Sequence, residues 1–466
     1  MRTDQIHTSR YNATLSKLAN LEYVKLLLLH FGIAFAIYIY EGVSFLYFLG
    51  VFGYFLFTTI QNQNRNNEAL MAAAYIAGAE VFWRMTGALV FYETGKYGVI
   101  LFLLIGMFFK GTSAKTVPYW IYLFILFPGV LVASIALDYD TVFRKAVAFN
   151  LAGPVCLGVS ALYCYYKKIP RKDFERVIVM LLLPLITTMA YLYLYTPKLD
   201  ESLINMSGNY SATGGYGPNQ ISTILGMGAF LLVTRLFVIK NKNINLLDLV
   251  LLGLMIYRAM ITFSRGGVIT GLVCAAAFIF ILYYKQDNWE RTKLRFKIIL
   301  LGIVVFISWI YTNLQTGGLI GNRYANKDAA GRLKDDITTG RVELVSTELE
   351  GFYHNPVLGL GVGKGYDFRR EELGIDIASH SEISRLLSEH GMFGVVAVLI
   401  LIFVPLLFWL KFKNNYYFLA FVAFWFLTIN HSAMRIAMPA FVYGLALLYI
   451  VDDRKRPLSK KKIEVQ

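Results

Sequence analysis

The stretch "FGVVAVLILIFVPLLFWL", residues 393–410, contains eighteen residues and no charged side chain. As a helix it rises about 1.5 Å per residue, enough to cross most of the roughly 30 Å of hydrocarbon in a bilayer. "FLYFLGVFGYFLFTTI" (45–60) is a second block of this kind. A soluble chain with such blocks would have to bury many helices on every side. The chain is 57% hydrophobic and 16% charged, above and below the usual shares of a soluble domain. The reading is an all-α integral membrane protein, a polytopic bundle of twelve to fourteen transmembrane helices with one large outer loop.

Working outward from 393–410, candidate spans fall near 22–40, 43–60, 69–92, 97–110, 118–137, 146–166, 174–195, 218–239, 246–262, 266–284, 296–312, 391–410, 416–430 and 434–451. This divides the chain into N-terminal transmembrane helices (1–312), a large loop with short helices (313–388), and C-terminal transmembrane helices with a basic tail (389–466). The net charge of +15 is concentrated in "KKIPRKDFER" (167–176), "KQDNWERTKLRFK" (285–297) and "DDRKRPLSKKK" (452–462). These short segments flank apolar runs, as the positive-inside rule expects of cytoplasmic loops. Fourteen spans put both termini and all three basic segments on the cytoplasmic side, and 196–217, 263–265, 313–388 and 431–433 outside. The long loop holds nine Lys/Arg against eleven Asp/Glu, so the basic excess does not point to nucleic acid. The N-terminus shows no cleavable signal pattern, and the first apolar helix is expected to direct insertion. Cys156, Cys164 and Cys274 each lie inside an apolar block, with no disulfide or metal-ligand spacing. No inverted internal repeat of the transporter kind is visible.

Just before 393–410 stands "SHSEISRLLSEHGMFG" (379–394). Ser379 and Glu382 form an S-x-x-E capping box, which predicts a helix from His380 with Ile383, Leu386 and Leu387 on one face. In a first turn the helix dipole disfavours imidazolium, and a neutral imidazole can accept a proton as a general base. The alternative for His380 is a hydrogen-bond donor in a polar helix start. His390 is about three turns away and is the main competitor, with Glu382 and Glu389 next. Gly391 and Gly394 mark the change from loop helix to membrane helix.

Other polar groups gather on the same side. Arg265, in "TFSRGG" (262–267), stands at the outer mouth between two spans, as an interface anchor or an anion ligand. Arg341, in "TTGRVELV" (338–345), begins an amphipathic piece expected along the membrane surface. Asn219 and Gln220, in "GGYGPNQIST" (214–223), start a span with outward-facing amides. His431 and Arg435, in "NHSAMR", lie at the outer end of the penultimate span. Ser381, Glu382, Asn219, Gln220, His431 and Arg435 are possible substrate contacts. "GLGVGKG" (359–365) fails the P-loop template and is expected to be a flexible turn. "DYD" (138–140) is a weak metal candidate, and no metal or other cofactor is expected. Glu80 and Arg84, at i, i+4 inside a span, are expected to pair.

His380, Ser381, Gly391 and Gly394 match the H-[N/S/Q]-x9-G-x-x-G pattern of bacterial O-antigen ligases, which the chain resembles. "SRGG", "GRVEL…NPVLGLGVGKG" and "GPNQIS" resemble further sites of that superfamily in order over roughly 205–400. The superfamily also holds O-antigen polymerases and protein O-oligosaccharyltransferases, with a glycosyltransferase-C-like membrane fold. The near-neutral loop, and a glycine at the tenth position after Arg341, tilt the resemblance toward ligase over polymerase. The resemblance implies a donor glycan linked through pyrophosphate to undecaprenol and an acceptor hydroxyl on lipid A-core or another glycan. Arg265 and Arg341 would bind the pyrophosphate, His380 would act as base, and the displacement would invert configuration without metal. It implies a place in lipopolysaccharide biosynthesis, in the bacterial inner membrane with the active site facing the periplasm. The alternatives are an O-antigen or exopolysaccharide polymerase and a lipid-linked-sugar flippase.

Overall fold

The computed structural model describes residues 2–196, 210–333, 340–374 and 377–451. The basic tail 452–462 and most of the connection 196–217 lie outside these residues. The chain forms α1 (Arg2–Ile39), α2 (Val43–Gln61), α3 (Glu68–Met85), α4 (Thr94–Lys110), α5 (Val117–Ile125), α6 (Phe127–Ala136) and α7 (Phe143–Cys164). After β1 (Lys168–Pro170) come α8 (Arg171–Tyr195), α9 (Pro218–Val238), α10 (Lys242–Ile261), α11 (Arg265–Lys285) and α12 (Asn288–Gln315). The long connection carries α13 (Leu319–Tyr324), α14 (Arg341–His354), α15 (Lys364–Leu373) and α16 (Glu382–His390). The chain closes with α17 (Met392–Lys411), α18 (Phe418–Ser432), α19 (Ala437–Ala446) and β2 (Tyr449–Val451).

Each of the fourteen apolar segments contains helix. Ten helical stretches are long and apolar enough to cross a membrane, and α18 and α19 are shorter apolar helices. Three segments differ in detail from the sequence reading. Helix α3 stops at Met85, so 86–93 is an irregular connection and not the end of a span. The segment 118–137 is broken between α5 and α6, where Pro128 in the first turn of α6 removes a backbone donor. The last segment is helical only over Ala437–Ala446 and then turns into β2.

The bundle is layered. In α8 and α9 78% and 83% of the apolar window is buried, so these helices form the centre. In α12 the figure is 11%, and large side chains of other outer helices, such as Phe108 of α4, Phe124 of α5 and Ile135 of α6, are exposed, as expected of lipid-facing positions. Between apolar helices in lipid, close approach of small residues does the packing. A Cβ on Gly226 would sit 2.1 Å from the Gly267 carbonyl oxygen, and one on Gly271 2.6 Å from that of Gly226, so α9 and α11 cross almost backbone to backbone.

Contacts between connections divide into two groups, one at each end of the bundle. At the first end, β1 pairs in parallel with β2, Lys110 bonds the Arg65 carbonyl (3.0 Å), and Asn415 donates to the carbonyls of Leu445 (3.0 Å) and Ala446 (3.2 Å). At the second end, Arg84 bonds the Arg435 carbonyl (3.0 Å), Arg323 the Phe263 carbonyl (3.1 Å), and Lys364 pairs with Asp138 (2.8 Å). Each contact joins segments that the alternation of spans and the basic loops assign to one side.

Candidate active site

The turn before α17 differs by two residues from the capping box read in the sequence. Helix α16 begins at Glu382, and its N-cap is Ser381, whose hydroxyl accepts from the Ser384 amide (3.4 Å). Ser379 instead makes a local turn, accepting from the Ser381 amide (3.2 Å) and donating to the Ser381 carbonyl (2.8 Å). His380 therefore precedes the helix and does not lie in its first turn. Its imidazole is still kept neutral, by a different cause. Burial pushes its pKa down to about 4, and the positive charges of Arg435 and Arg341 push in the same direction. Its Nδ1 is buried without a partner. The His380 carbonyl accepts from the Ala433 amide (3.1 Å), and Arg435 holds the same turn through the carbonyls of Ala378 (3.1 Å) and Ser379 (2.8 Å).

Four half-buried arginines converge on this turn. Arg265 is the first residue of α11, Arg341 the first of α14, Arg323 is in α13, and Arg435 lies between α18 and α19. Burial lowers the pKa of Arg341, and the charges of Arg265 and Arg435 lower it further. Burial likewise lowers that of Arg323, with Arg265 and Arg341 adding to the effect. Guanidinium stays protonated regardless, so the cluster is a standing concentration of positive charge. Among the described residues, none of the ion pairs involves Arg323, Arg341 or Arg435. Helices α9, α11, α14 and α16 all begin at this end, so their exposed amides and dipoles add to the field. The arrangement suits a multiply charged anion.

Underneath lies a fully paired polar frame. Arg385 bridges Glu382 and Glu389 (2.7 Å to the latter) and donates to the Asn150 carbonyl (2.8 Å). The other oxygen of Glu382 accepts from the Met434 amide (3.2 Å). Both carboxylates that stood as fallback bases are thus structural. Glu348 accepts from Arg369 (2.6 Å) and from the Ser384 hydroxyl (2.5 Å), while Arg369 Nε bonds the Ile377 carbonyl (3.1 Å). The inward face of α14 is therefore spent on the protein: its buried residues are Leu344, Thr347, Glu348 and Gly351, and the helix packs on α16 and α15.

The remaining sequence candidates fall on the same end. Asn219 accepts from the Ser264 hydroxyl (2.7 Å), the residue before Arg265, and the Ser222 hydroxyl donates to the Ser264 carbonyl (2.8 Å). Asn219 thereby fixes the start of α11. Gln220 accepts from Arg84 (3.4 Å) and the Tyr216 hydroxyl (3.1 Å). Arg84 pairs with Glu80, as its i, i+4 spacing suggested, and Glu80 also accepts from the Ala437 amide (2.5 Å) at the start of α19. Ser381 donates to Asn430 (3.3 Å). The His431 ring contacts Thr223 (3.1 Å) and the Leu427 carbonyl (2.8 Å), which occupies both nitrogens. His390 is enclosed against Gly129, and His30 is a core histidine bonded to Tyr75 and the Leu26 carbonyl. Asp138, from "DYD", is paired with Lys364.

"GLGVGKG" is not the flexible turn its composition suggested. Gly359, Gly361 and Gly363 all have positive φ, and Leu360, Gly361 and Val362 donate to the carbonyls of Ser388 (2.8 Å), Glu389 (3.1 Å) and Gly129 (3.0 Å). The turn is wedged against the end of α16. The paired glycines that follow are needed there as well. Gly391 has φ +58, and a Cβ on it would meet Gly359 N at 2.7 Å; one on Gly394 would lie 2.0 Å from the Leu386 carbonyl oxygen. Gly394→Ala should therefore lower the thermal unfolding temperature in detergent, at a cost of about 1–3 kcal/mol or more from overpacking. Gly302→Ala, where nothing lies within 4 Å, should leave it unchanged or slightly raised. Equal shifts in the two variants would contradict the close approach of Gly394 to the Leu386 carbonyl.

Sequence reasoning missed Arg323, although "GNRYAN" repeats the arrangement of Arg265, a lone arginine just past an apolar span. Two non-glycine residues with positive φ, Phe263 (56°) and Ala433 (50°), also bracket the site. Both belong to hydrogen bonds already described, to Arg323 and to His380. No curated protein matches the chain. Residues 250–399 match the family model described as O-antigen ligase, a segment that contains Arg265, Arg323, Arg341, His380, Gly391 and Gly394 and leaves Asn219, Gln220, His431 and Arg435 outside. That segment of the chain is similar to the O-antigen ligase family.

Proposed function

We propose that the protein is a bacterial inner-membrane glycosyltransferase that moves a glycan from undecaprenyl pyrophosphate to a hydroxyl of lipid A-core, working on the periplasmic side. The observation that carries this reading is the convergence of Arg265, Arg323 and Arg341 beside a neutral His380. A pyrophosphate is a good leaving group that needs its charge neutralised more than it needs a proton. Guanidinium forks and helix N-termini supply that, and supply more as charge grows in the transition state. His380 takes the proton of the acceptor hydroxyl while its oxygen attacks the anomeric carbon. The bond from that carbon to the pyrophosphate oxygen breaks, and the electron pair leaves with the lipid pyrophosphate. One displacement inverts configuration. The basic segments 167–176 and 285–297 at the opposite end support a periplasmic placement of the site.

The arginines do the work that a divalent cation does in many phosphate sites. Transfer by the purified protein should therefore survive excess EDTA. Strict dependence on magnesium or manganese would contradict the proposal. Gene deletion tests the acceptor: loss of all long chains on core, with lipid-linked polymer accumulating, is the expected result. One-unit capping would mean polymerase, and loss of long chains with only single lipid-linked units accumulating would favour the flippase reading.

A further inference from the structure

A small pocket of about 20 Å³ lies beside the His380 turn, outside the group formed by Arg265, Arg323 and Arg341. It is lined by Phe149 and Asn150 of α7, by Ser379, Glu382 and Arg385, and by Ala433, Met434 and Arg435 of the α18–α19 connection. Ser379 and Ala433 bracket His380, the first by sequence and the second through its hydrogen bond to the His380 carbonyl (3.1 Å). A volume of this size holds one water or one hydroxyl, not a sugar ring. Arg435 Nε, on a residue of the pocket wall, is buried with no partner, and so is Nδ1 of His380, which adjoins the wall through Ser379 and Ala433; such groups are costly unless something meets them.

The mouth of the pocket is aromatic. Phe149 is exposed, and its ring lies 5.6 Å from that of Tyr92 in the α3–α4 connection, tilted by 37°. Arg84 sits 3.8 Å over the Tyr92 ring and bonds the Arg435 carbonyl, which ties this platform to the pocket wall. An aromatic surface beside a hydroxyl-sized polar hole is a split that matches a sugar: a ring with one apolar face, and a hydroxyl projecting from its edge.

We propose that this pocket is the acceptor subsite, with the reacting hydroxyl in the hole between Ser379, Asn150 and Arg435 and the acceptor sugar ring on Phe149 and Tyr92. The inference rests on the transferase reading above and adds where the acceptor lies: the pyrophosphate occupies the arginine side of His380 and the acceptor the α7 side. The proton passes from the acceptor hydroxyl to His380, the new glycosidic bond forms at that oxygen, and the electron pair of the broken bond leaves with the pyrophosphate. Glu382 does not take the proton, because both its oxygens are engaged by Arg385 and the Met434 amide.

The test uses full-length protein in detergent with two probes, rough lipopolysaccharide (lipid A-core without long chain) as acceptor and undecaprenyl pyrophosphate for the donor end. Phe149→Ala should raise the acceptor KM about tenfold, the loss of a stacking contact, and Phe149→Tyr should restore it. Asn150→Leu, which fills the hole, should raise it as well. Affinity for undecaprenyl pyrophosphate should stay near wild type in all three. An acceptor KM unchanged in both Phe149→Ala and Asn150→Leu overturns the subsite while leaving the transferase reading intact. A matching loss of undecaprenyl pyrophosphate affinity assigns the pocket to the donor and overturns it too. If wild-type protein neither binds undecaprenyl pyrophosphate nor transfers glycan, both readings fall together.

Discussion

His380→Ala is expected to fold, insert and bind lipid-linked donor, and to transfer glycan some 10²–10⁴-fold more slowly, the usual cost of removing a general base. The expectation is specific because the other candidates have other duties. His390 is enclosed against Gly129, His431 has both nitrogens engaged, and Glu382 and Glu389 hold Arg385. The pH profile gives a second check. An imidazole with a pKa of about 4 in the free protein is already neutral through the physiological range. Since the neutral form is the base, kcat/KM should be flat across pH 6–7 and fall only as pH drops toward about 4. Donor binding brings negative charge beside Arg341 and Arg435, which offsets part of what depresses the pKa. The acid limb of kcat should therefore lie at higher pH than that of kcat/KM. A limb at the ordinary histidine value in kcat/KM, or normal turnover by His380→Ala, would show that the base is another group.

What the sequence made legible follows the range of the interactions. The spans were readable because apolar composition over eighteen residues is a local property that no tertiary contact reverses. The i, i+4 pair Glu80–Arg84 was readable for the same reason. The cap of α16 was misplaced because Ser379-x-x-Glu382 is the stronger local pattern, whereas the observed cap, Ser381, has only Ser384 at N3. The choice is made from outside the segment, where Arg435 takes the Ala378 and Ser379 carbonyls and Ala433 takes that of His380. The Glu348–Arg369–Ser384 link joins three separate helices and left no pattern in the chain. Arg323 was lost to averaging. In a loop with nearly balanced charge, one arginine at a helix end looks like solvated surface until Arg265 and Arg341 are seen beside it. The glycines of "GLGVGKG" suggested freedom because glycine permits many conformations. Here they are required because only glycine fits positive φ at a backbone contact.

The arginine cluster predicts two effects of opposite sign from one substitution. In the absence of donor, Arg341, Arg265, Arg323 and Arg435 repel one another in a half-buried space, which is the sense of their mutual influence on pKa. Arg341 makes no ion pair or side-chain hydrogen bond among the described residues, whereas Arg323 is anchored on the Phe263 carbonyl and Arg435 on those of Ala378 and Ser379. Removing Arg341 therefore relieves repulsion and breaks little. Arg341→Ala should leave the unfolding temperature unchanged or raised, and weaken binding of undecaprenyl pyrophosphate by roughly 2–5 kcal/mol, as truncating one side of a buried charged contact does. Arg341→Lys should recover part of this, since an ammonium keeps the charge and loses the fork. Arg323→Ala should weaken binding too, with some loss of stability from the Phe263 contact. Arg435→Ala should act more on turnover than on donor affinity, because it holds the His380 turn. Stability bought at the expense of affinity is the pattern of a site built for its ligand and strained without it. Were Arg341→Ala instead to lower the unfolding temperature and bind undecaprenyl pyrophosphate normally, the arginine would be an anchor of α14, and the anion would bind elsewhere.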